Sequence, residues 1–334
     1  MLRSRKWAVG LALLAALCLL LAACSATGGK KAAEAAAAPV AGHANTPRYT
    51  IAMITHASPG DTFWDKIRNG ANAAAAKDNI TLKYSNNDDP TQQAALITDA
   101  VNSHVNGIAV TDPNPGALCP TIKQAVAAGI PVVMFNAGFA NWQQCGAMEY
   151  FGQDETLAGI AAGQRMAKEG AKHVLCVIQT QGQIQLEERC AGVKQGFGSA
   201  GTVTKMYVNG TDNSAVLSSL TAELTRDKTI DAVITLGAPI ALIALQALSQ
   251  AHSSAKVYTF DTNAELVSKI KSGAVQWAVD QQPYLQGYEA VDSLWLYLTN
   301  GNIIGGGQTV LTGPSFIDSS NIAKIAQYAA AGNR

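Results

Sequence analysis

The chain is expected to fold as an α/β protein of two doubly wound parallel-sheet lobes, and three observations in its 334 residues predict this. Strand-like and helix-like stretches alternate with the period of the βαβ unit, roughly 25 to 30 residues. Several strand-like stretches are continuously apolar, such as Ile108-Ala109-Val110 and Val132-Val133-Met134-Phe135, which suits parallel strands covered on both faces. The alternation breaks once, between Ala137 and Met148, and then resumes, so the same rhythm is written twice.

The first block opens with a β-rich run at Tyr49–Thr55 and a helical stretch at Thr62–Lys77. A strand at Thr81–Ser85 precedes a helix at Pro90–Ser103, and a strand at Gly107–Thr111 precedes a helix at Ala117–Ala128. Pro131–Asn136 closes the block as a strand. The second block begins with helix Glu155–Lys168 and strand His173–Gln179. Helix Ile184–Gly198 leads to strand Val203–Val208, Asn213–Arg226 to Asp231–Leu236, and Pro239–Gln250 to Lys256–Phe260. A short helix at Ala264–Lys271, a strand at Ala274–Asp280 and a helix at Pro283–Thr299 follow. A Gly-rich turn and a short C-terminal strand end the chain.

In such sheets ligands bind beyond the carboxyl ends of the strands, between the lobes. The residues there include Asp61-Thr62-Phe63-Trp64, Asn86-Asn87-Asp88-Asp89, Asn136, Gln179 to Glu187, Asp261-Thr262-Asn263 and Asp280-Gln281-Gln282. Acids, amides, hydroxyls and two adjacent aromatics suit a hydroxyl-rich ligand. Each hydroxyl needs a planar donor or acceptor, and C–H faces need flat apolar surface. Phe63 also starts an i, i+4, i+8 stripe with Ile67 and Ala71, so it reads equally as core, whereas Trp64 lies off that stripe. His56 is open between a loop role and a pocket edge.

Other function classes find little support. The chain carries 24 basic and 24 acidic residues with no basic stripe, which argues against a nucleic-acid partner. Gly196-Phe197-Gly198-Ser199-Ala200-Gly201 matches G-x-G-x-x-G, yet it closes a helix and precedes a strand, the reverse of a dinucleotide loop; it is a helix stop. No P-loop, G-x-S-x-G or H-E-x-x-H occurs, so neither an enzyme nor a cofactor is expected. Arg3, Arg5 and Lys6 followed by an apolar run to Leu21 have the anatomy of a secretory signal. Leu21-Ala22-Ala23-Cys24 resembles a bacterial lipobox, making residues 1–23 a signal and Cys24 a lipid attachment site. Residues 24–47 are then a flexible tether of Ala, Gly, Ser, Thr and Pro. In that exported compartment Cys119, Cys145, Cys176 and Cys190 read as disulfides. Cys119–Cys145 and Cys176–Cys190 are the pairs lying within one lobe; four buried thiols is the alternative, which Cys176 in its apolar strand fits best. Their spacing does not suit zinc.

Taken with these stretches, the segments Asp61-Thr62-Phe63-Trp64, Asn86-Asn87-Asp88-Asp89-Pro90, Gly129-Ile130-Pro131-Val132-Val133, Phe151-Gly152-Gln153-Asp154, Glu188-Arg189-Cys190-Ala191-Gly192, Phe260-Asp261 and Asp280-Gln281-Gln282-Pro283 stand in the order and spacing of one known family. Over nearly all of residues 48–330 the chain resembles the ribose-binding-protein branch of type I periplasmic binding proteins. The resemblance implies lobes of residues 48–151 with 283–309 and 152–282 with 310–334, joined by a multi-strand hinge. It also implies a monomeric solute-binding protein that closes on a monosaccharide or polyol and delivers it to an ABC permease. The alternative is a ligand-sensing protein for a membrane receptor. Residue by residue, it places Asp61, Phe63, Trp64, Asn136, Glu187, Asp261 and Gln281 at the ligand, with Glu187 where ribose binders carry an arginine. Ala137 and Gly237 depart from the pattern, standing for an arginine and an asparagine, which implies a ligand other than ribose and a pocket larger or differently charged.

Overall fold

The computed structural model describes residues 43–58 and 61–334. The expected signal and Cys24 lie outside these residues, as does the tether up to residue 42. From Thr46 onward the chain forms two six-stranded sheets. Its elements in order are β1 (Thr50–Thr55), α1 (Phe63–Lys77), β2 (Thr81–Asn86), α2 (Pro90–Asn102), β3 (Gly107–Val110), α3 (Pro115–Ala127), β4 (Val132–Phe135) and β5 (Glu149–Gln153). Then come α4 (Glu155–Lys168), β6 (His173–Ile178), α5 (Ile184–Phe197), β7 (Thr202–Tyr207), α6 (Asn213–Arg226), β8 (Ala232–Thr235), α7 (Ala238–Gln250) and β9 (Lys256–Phe260). The chain finishes with α8 (Ala264–Lys271), β10 (Val275–Asp280), α9 (Pro283–Asn300), β11 (Val310–Gly313), β12 (Ser315–Asp318) and α10 (Ile322–Ala330).

The first sheet has the order β11-β5-β4-β3-β1-β2 and the second β12-β10-β9-β8-β6-β7. All pairs are parallel except β10 with β12. The apolar runs behave as their composition requires: β3, β4 and β8 are buried along their whole length, and each sheet carries an apolar cluster on both faces. The outermost β2 and β7 are half-exposed, as edge strands are. Helix starts follow the cap residues in the sequence. The carboxylates of Asp89, Asp154 and Asp212 and the side-chain carbonyls of Asn114 and Asn263 each accept a first-turn N–H.

Three features differ from the sequence reading. β5 was not expected, because a buried Glu149 at its head and Gly152 near its end break the apolar run; α10 was not expected either, although Ile322, Ile325, Ala326 and Ala329 share a helical face. The lobe divisions expected at 151/152 and 309/310 move later in the chain. Gln153 still pairs with β11 in the first sheet, and Val310–Gly313 belongs to that sheet before the chain crosses to β12. The crossings are therefore at Asp154, at Gln281-Gln282 and at Pro314.

Both expected disulfides are formed, Cys119–Cys145 and Cys176–Cys190. The first ties the segment that interrupts the rhythm to α3. The second ties α5 to β6, beneath a helix crossing in which Gly159 and Gly192 let two backbones touch. A Cβ on Gly159 would lie 2.3 Å from the carbonyl of Arg189, and one on Gly192 2.4 Å from that of Thr156. The G-x-G-x-x-G match is confirmed as a stop, since Gly198 ends α5 at φ +56°.

Candidate functional site

Each sheet reverses its winding order beside its first strand, β1 against β3 and β6 against β8, and the carboxyl ends of the strands face one another across a cleft. Between them lies a cavity of about 360 Å³. Its floor is one hydrogen-bonded chain. Asn136 follows β4 and Asp261 follows β9, both in the left-handed backbone region at φ 63°, which asparagine and aspartate tolerate better than other side chains. Their N–H groups continue the ladders, to Phe151 O at 2.9 Å and Val279 O at 2.7 Å, so each side chain is turned off its sheet into the cleft. Gln281 joins them. Its Nε2 donates to Asp261 Oδ1 at 2.9 Å, and its Oε1 accepts from Asn136 Nδ2 at 3.1 Å.

The first-lobe wall comes from the start of α1. Asp61 Oδ1 accepts the N–H of Phe63 at 3.0 Å, and the residue lines the cavity. Trp64 is buried, edge-on to His56 at 4.6 Å and to Phe63 at 5.2 Å between ring centroids. The two readings of this pair converge: both rings line the cavity and both touch the core around Ile67 and Ala71. Lys66, three residues after Phe63 on the same helical face, is only 5% exposed and lines the same cavity. Its ammonium lies 5.7 Å from the centre of the Phe63 ring, and burial pushes its pKa down against the charges of Asp261, Asp61, Asp65 and Asp280.

On the second lobe the expected Glu187 is corrected. It is half-exposed and pairs outward with Lys205 Nζ at 2.8 Å, with the Tyr207 hydroxyl also donating to it. The reason is helical phase. Gln185 and Arg189, four apart on α5, face the cleft, and a residue midway between them points roughly the opposite way. Arg189 is the cation at this wall. Its Nε and Nη2 donate to Glu155 at 2.6 and 2.8 Å, its Nη1 to Leu236 O at 3.1 Å, and Nη1 lies 3.9 Å from Asp261 Oδ2. Asp61, Phe63, Trp64, Asn136, Asp261 and Gln281 are thus brought together. Gln179 and Gln185 lie within the stretch read at the strand ends but not singled out there, whereas Lys66 and Arg189 were missed, although Arg189 sits inside a stretch that carries the family resemblance.

Two hydrogen bonds cross the cleft away from the hinge. His56 Nε2 and Gln185 Nε2 are 3.0 Å apart, with the amide as donor to a neutral ring, and His56 Nδ1 lies 2.7 Å from Thr111 Oγ1. Ile184 N–H donates to Pro113 O at 3.0 Å. Burial, helped by the charge of Arg189, pushes the His56 imidazole down to about 3, so it is neutral. Ile184 is the first residue of α5, where proline is accommodated and Gln183 before it is already extended. Ile184→Pro therefore removes one cross-cleft donor without touching the cavity wall. Calorimetry is expected to show ligand affinity lowered about threefold to tenfold, in line with a net hydrogen bond of roughly 0.5–1.5 kcal/mol. Unchanged affinity would remove this contact from the closure.

Burial also pushes the carboxyls of Asp112, Glu149 and Asp261 up to about 7. A folded-state pKa above the unfolded one stabilises the fold fully below about pH 4, and that stability is lost as pH rises through 7. His56 works the other way, losing its contribution as pH falls from about 6.5 toward 3. Asp78 and Glu188 are likewise pushed up to about 7, so with five carboxyls against one imidazole the melting temperature of the ligand-free protein is expected to fall between pH 6 and pH 8. Asp112→Asn is expected to flatten that slope, and an unchanged slope would show Asp112 is not one of its sources.

Among the described residues no group of three His, Cys, Asp or Glu side chains could hold a metal ion, and no helix is long and apolar enough to cross a membrane. Residues 51–302 match the family described as periplasmic binding protein domain. The crystal structure of a carbohydrate transporter from Acidothermus cellulolyticus 11B, in complex with myo-inositol, is 62% identical. It matches with a TM-score of 0.85 over 86% of this chain and 100% of that one. The xylose/arabinose-binding protein XylF of Sulfolobus acidocaldarius is 25% identical over 293 residues, 83% of this chain and 72% of that protein. A solute-binding protein of Burkholderia graminis C4D1M in complex with D-arabinose, 22% identical with a TM-score of 0.72 over 82% of this chain and 96% of that one, shares the fold.

Proposed function

The chain belongs to the periplasmic binding protein family, and from that membership we propose that it is the solute-binding component of an ABC importer, capturing a cyclic polyol of the myo-inositol class between its lobes. One observation carries the ligand class. Buried polar atoms on the cavity wall, Gln185 Oε1 and Thr262 Oγ1, have no partner among the described residues, and the Lys66 ammonium group lines the same cavity from the first lobe. Buried polar groups of this kind are costly unless something satisfies them. A ring bearing a hydroxyl on every carbon does so, since each hydroxyl both donates and accepts. The relative of highest identity reported above was solved with such a ring.

In this reading Asp61, Asp261 and the amides of Asn136 and Gln281 accept or relay hydroxyl protons, while Lys66 and Arg189 donate. Phe63 and Trp64 cover the C–H surface. The protein is a binder and not an enzyme, exported through its N-terminal signal and held to the outer face of the membrane by lipid on Cys24. It hands its ligand to a membrane permease as a monomer.

Calorimetry of the mature protein against myo-inositol, ribose, arabinose and glucose tests the ligand class. The inositol is expected to bind at least tenfold more tightly than the aldoses. A melting temperature unmoved by millimolar myo-inositol, and raised instead by a pentose, would overturn the cyclic-polyol assignment.

A further inference from the structure

The cavity is longer than one ring needs. Its second-lobe wall is built from the ends of five neighbouring strands: Gln281 after β10, Asp261 and Thr262 after β9, Gly237 after β8, Gln179 after β6, and Gly210 with Thr211 after β7. Neighbouring strands lie roughly 4.8 Å apart, so these four steps span about 19 Å. A single hydroxylated ring covers less than half of that. The charged groups Asp61, Lys66, Arg189 and Asp261 and the Asn136–Gln281 chain are gathered at the β10–β9 end, and they suffice for one ring.

We propose that the outer half of the cavity, around Gly237, is a second compartment, and that the preferred ligand is a cyclic polyol joined by a glycosidic bond to a second hydroxylated ring. This rests on the cyclic-polyol reading above and extends it. Space is present at the position that divides the halves: a Cβ on Gly237 would meet only Gln179 Nε2 at 3.4 Å and Pro239 Cδ at 4.0 Å. An unsatisfied group is present too. Among the described residues the buried Oε1 of Gln179, whose side chain stands beside Gly237, has no donor. The chemistry of this half selects the substituent. The nearest guanidinium, Arg189, is held by Glu155 and the Leu236 carbonyl, so this half is not a phosphoryl site, and Gln179, Thr180, Gly210, Thr211 and Gly237 offer no aromatic face for a flat apolar group. Hydroxyls of a second sugar ring match both facts.

The test is calorimetry with myo-inositol and with a galactosyl myo-inositol, on the wild type and on Gly237→Asn. Gly237 is extended at φ −169°, so any residue fits its backbone, and it stands at the N-cap of α7 without a side-chain cap. Asparagine there both fills the gap and caps the helix, so the variant is expected to melt no lower than the wild type. The glycoside is expected to bind the wild type at least tenfold more tightly than free myo-inositol, and Gly237→Asn is expected to bring that ratio to about one. A wild type that prefers the free polyol, or a ratio the substitution does not move, overturns the second compartment alone. If neither compound binds, the cyclic-polyol reading itself falls.

Discussion

Arg189→Met is expected to lower the stability of the protein by about 3–5 kcal/mol in urea denaturation, the usual cost of stranding one member of a buried ion pair. Its partner Glu155 is 1% exposed, at the first position of α4, and spends both oxygens on Arg189, with Gln153 Nε2 adding a third bond at 2.7 Å. Methionine keeps the aliphatic bulk over Phe260, where the guanidinium now stacks at 4.7 Å, so the loss isolates the charge. The double variant Glu155→Gln with Arg189→Met discriminates. Removing both charges is expected to recover more than half of the lost stability. A single variant as stable as the wild type would mean that Glu155 finds another partner, and that the pair does not hold the second-lobe wall in place.

The same residue shows where sequence reasoning stopped short. Strand ends could be read because each strand is a continuous apolar run with an abrupt polar exit. Asn136 after Phe135 and Asp261 after Phe260 were therefore found, and so was Gln281 two residues before a proline that must open a helix. Helix α5 gives no such edge. Gln185, Glu187, Glu188 and Arg189 are all polar, and only the phase of the helix against the cleft decides which of them turn inward. That phase is set by the glycine-mediated contact with α4, a tertiary fact. Lys66 was missed for a related reason: an amphipathic helix normally presents lysine to water, and here the opposite lobe covers it. The signal was present, since Phe63 and Lys66 are three apart, but it becomes a signal only once the opposing lobe is known. Glu149 hid β5 in the same way, by placing a carboxyl where a strand pattern calls for an apolar residue. The lobe boundaries slipped because Val310–Gly313 and Ser315–Asp318 are two short strands separated by a single residue, and nothing local says that they belong to different sheets.

Asp261→Asn is expected to weaken ligand binding about tenfold to a hundredfold at pH 8, and to remove the pH dependence of binding between pH 7 and 8. Asparagine is the informative substitution because position 261 sits at φ 63°; alanine would add backbone strain of its own. Hydrogen bonds to a charged acceptor contribute roughly 1.5–3 kcal/mol, and at about 1.4 kcal/mol per decade this sets the expected range. The pH argument follows from the surroundings of the carboxyl. Burial pushes Asp261 up to about 7, against the pull of Arg189, the hydrogen bond from Gln281 and the charge of Lys66, while Asp280 adds to the rise. A ligand hydroxyl donates more strongly to the carboxylate than to the protonated acid, so binding expels a proton, and affinity falls as pH drops through 7. His56 contributes with the same sign only lower down, because closure requires its neutral ring and the ordinary imidazole titrates near 6.5. Wild-type affinity is therefore expected to decline in two stages on acidification, the first from Asp261 and the second from His56, and Asp261→Asn should keep only the second. Titrations in buffers of different ionisation enthalpy read the proton count directly. Binding at pH 7.5 that releases no proton would show Asp261 already ionised before the ligand arrives, and would leave the loss in Asp261→Asn to hydrogen-bond strength alone.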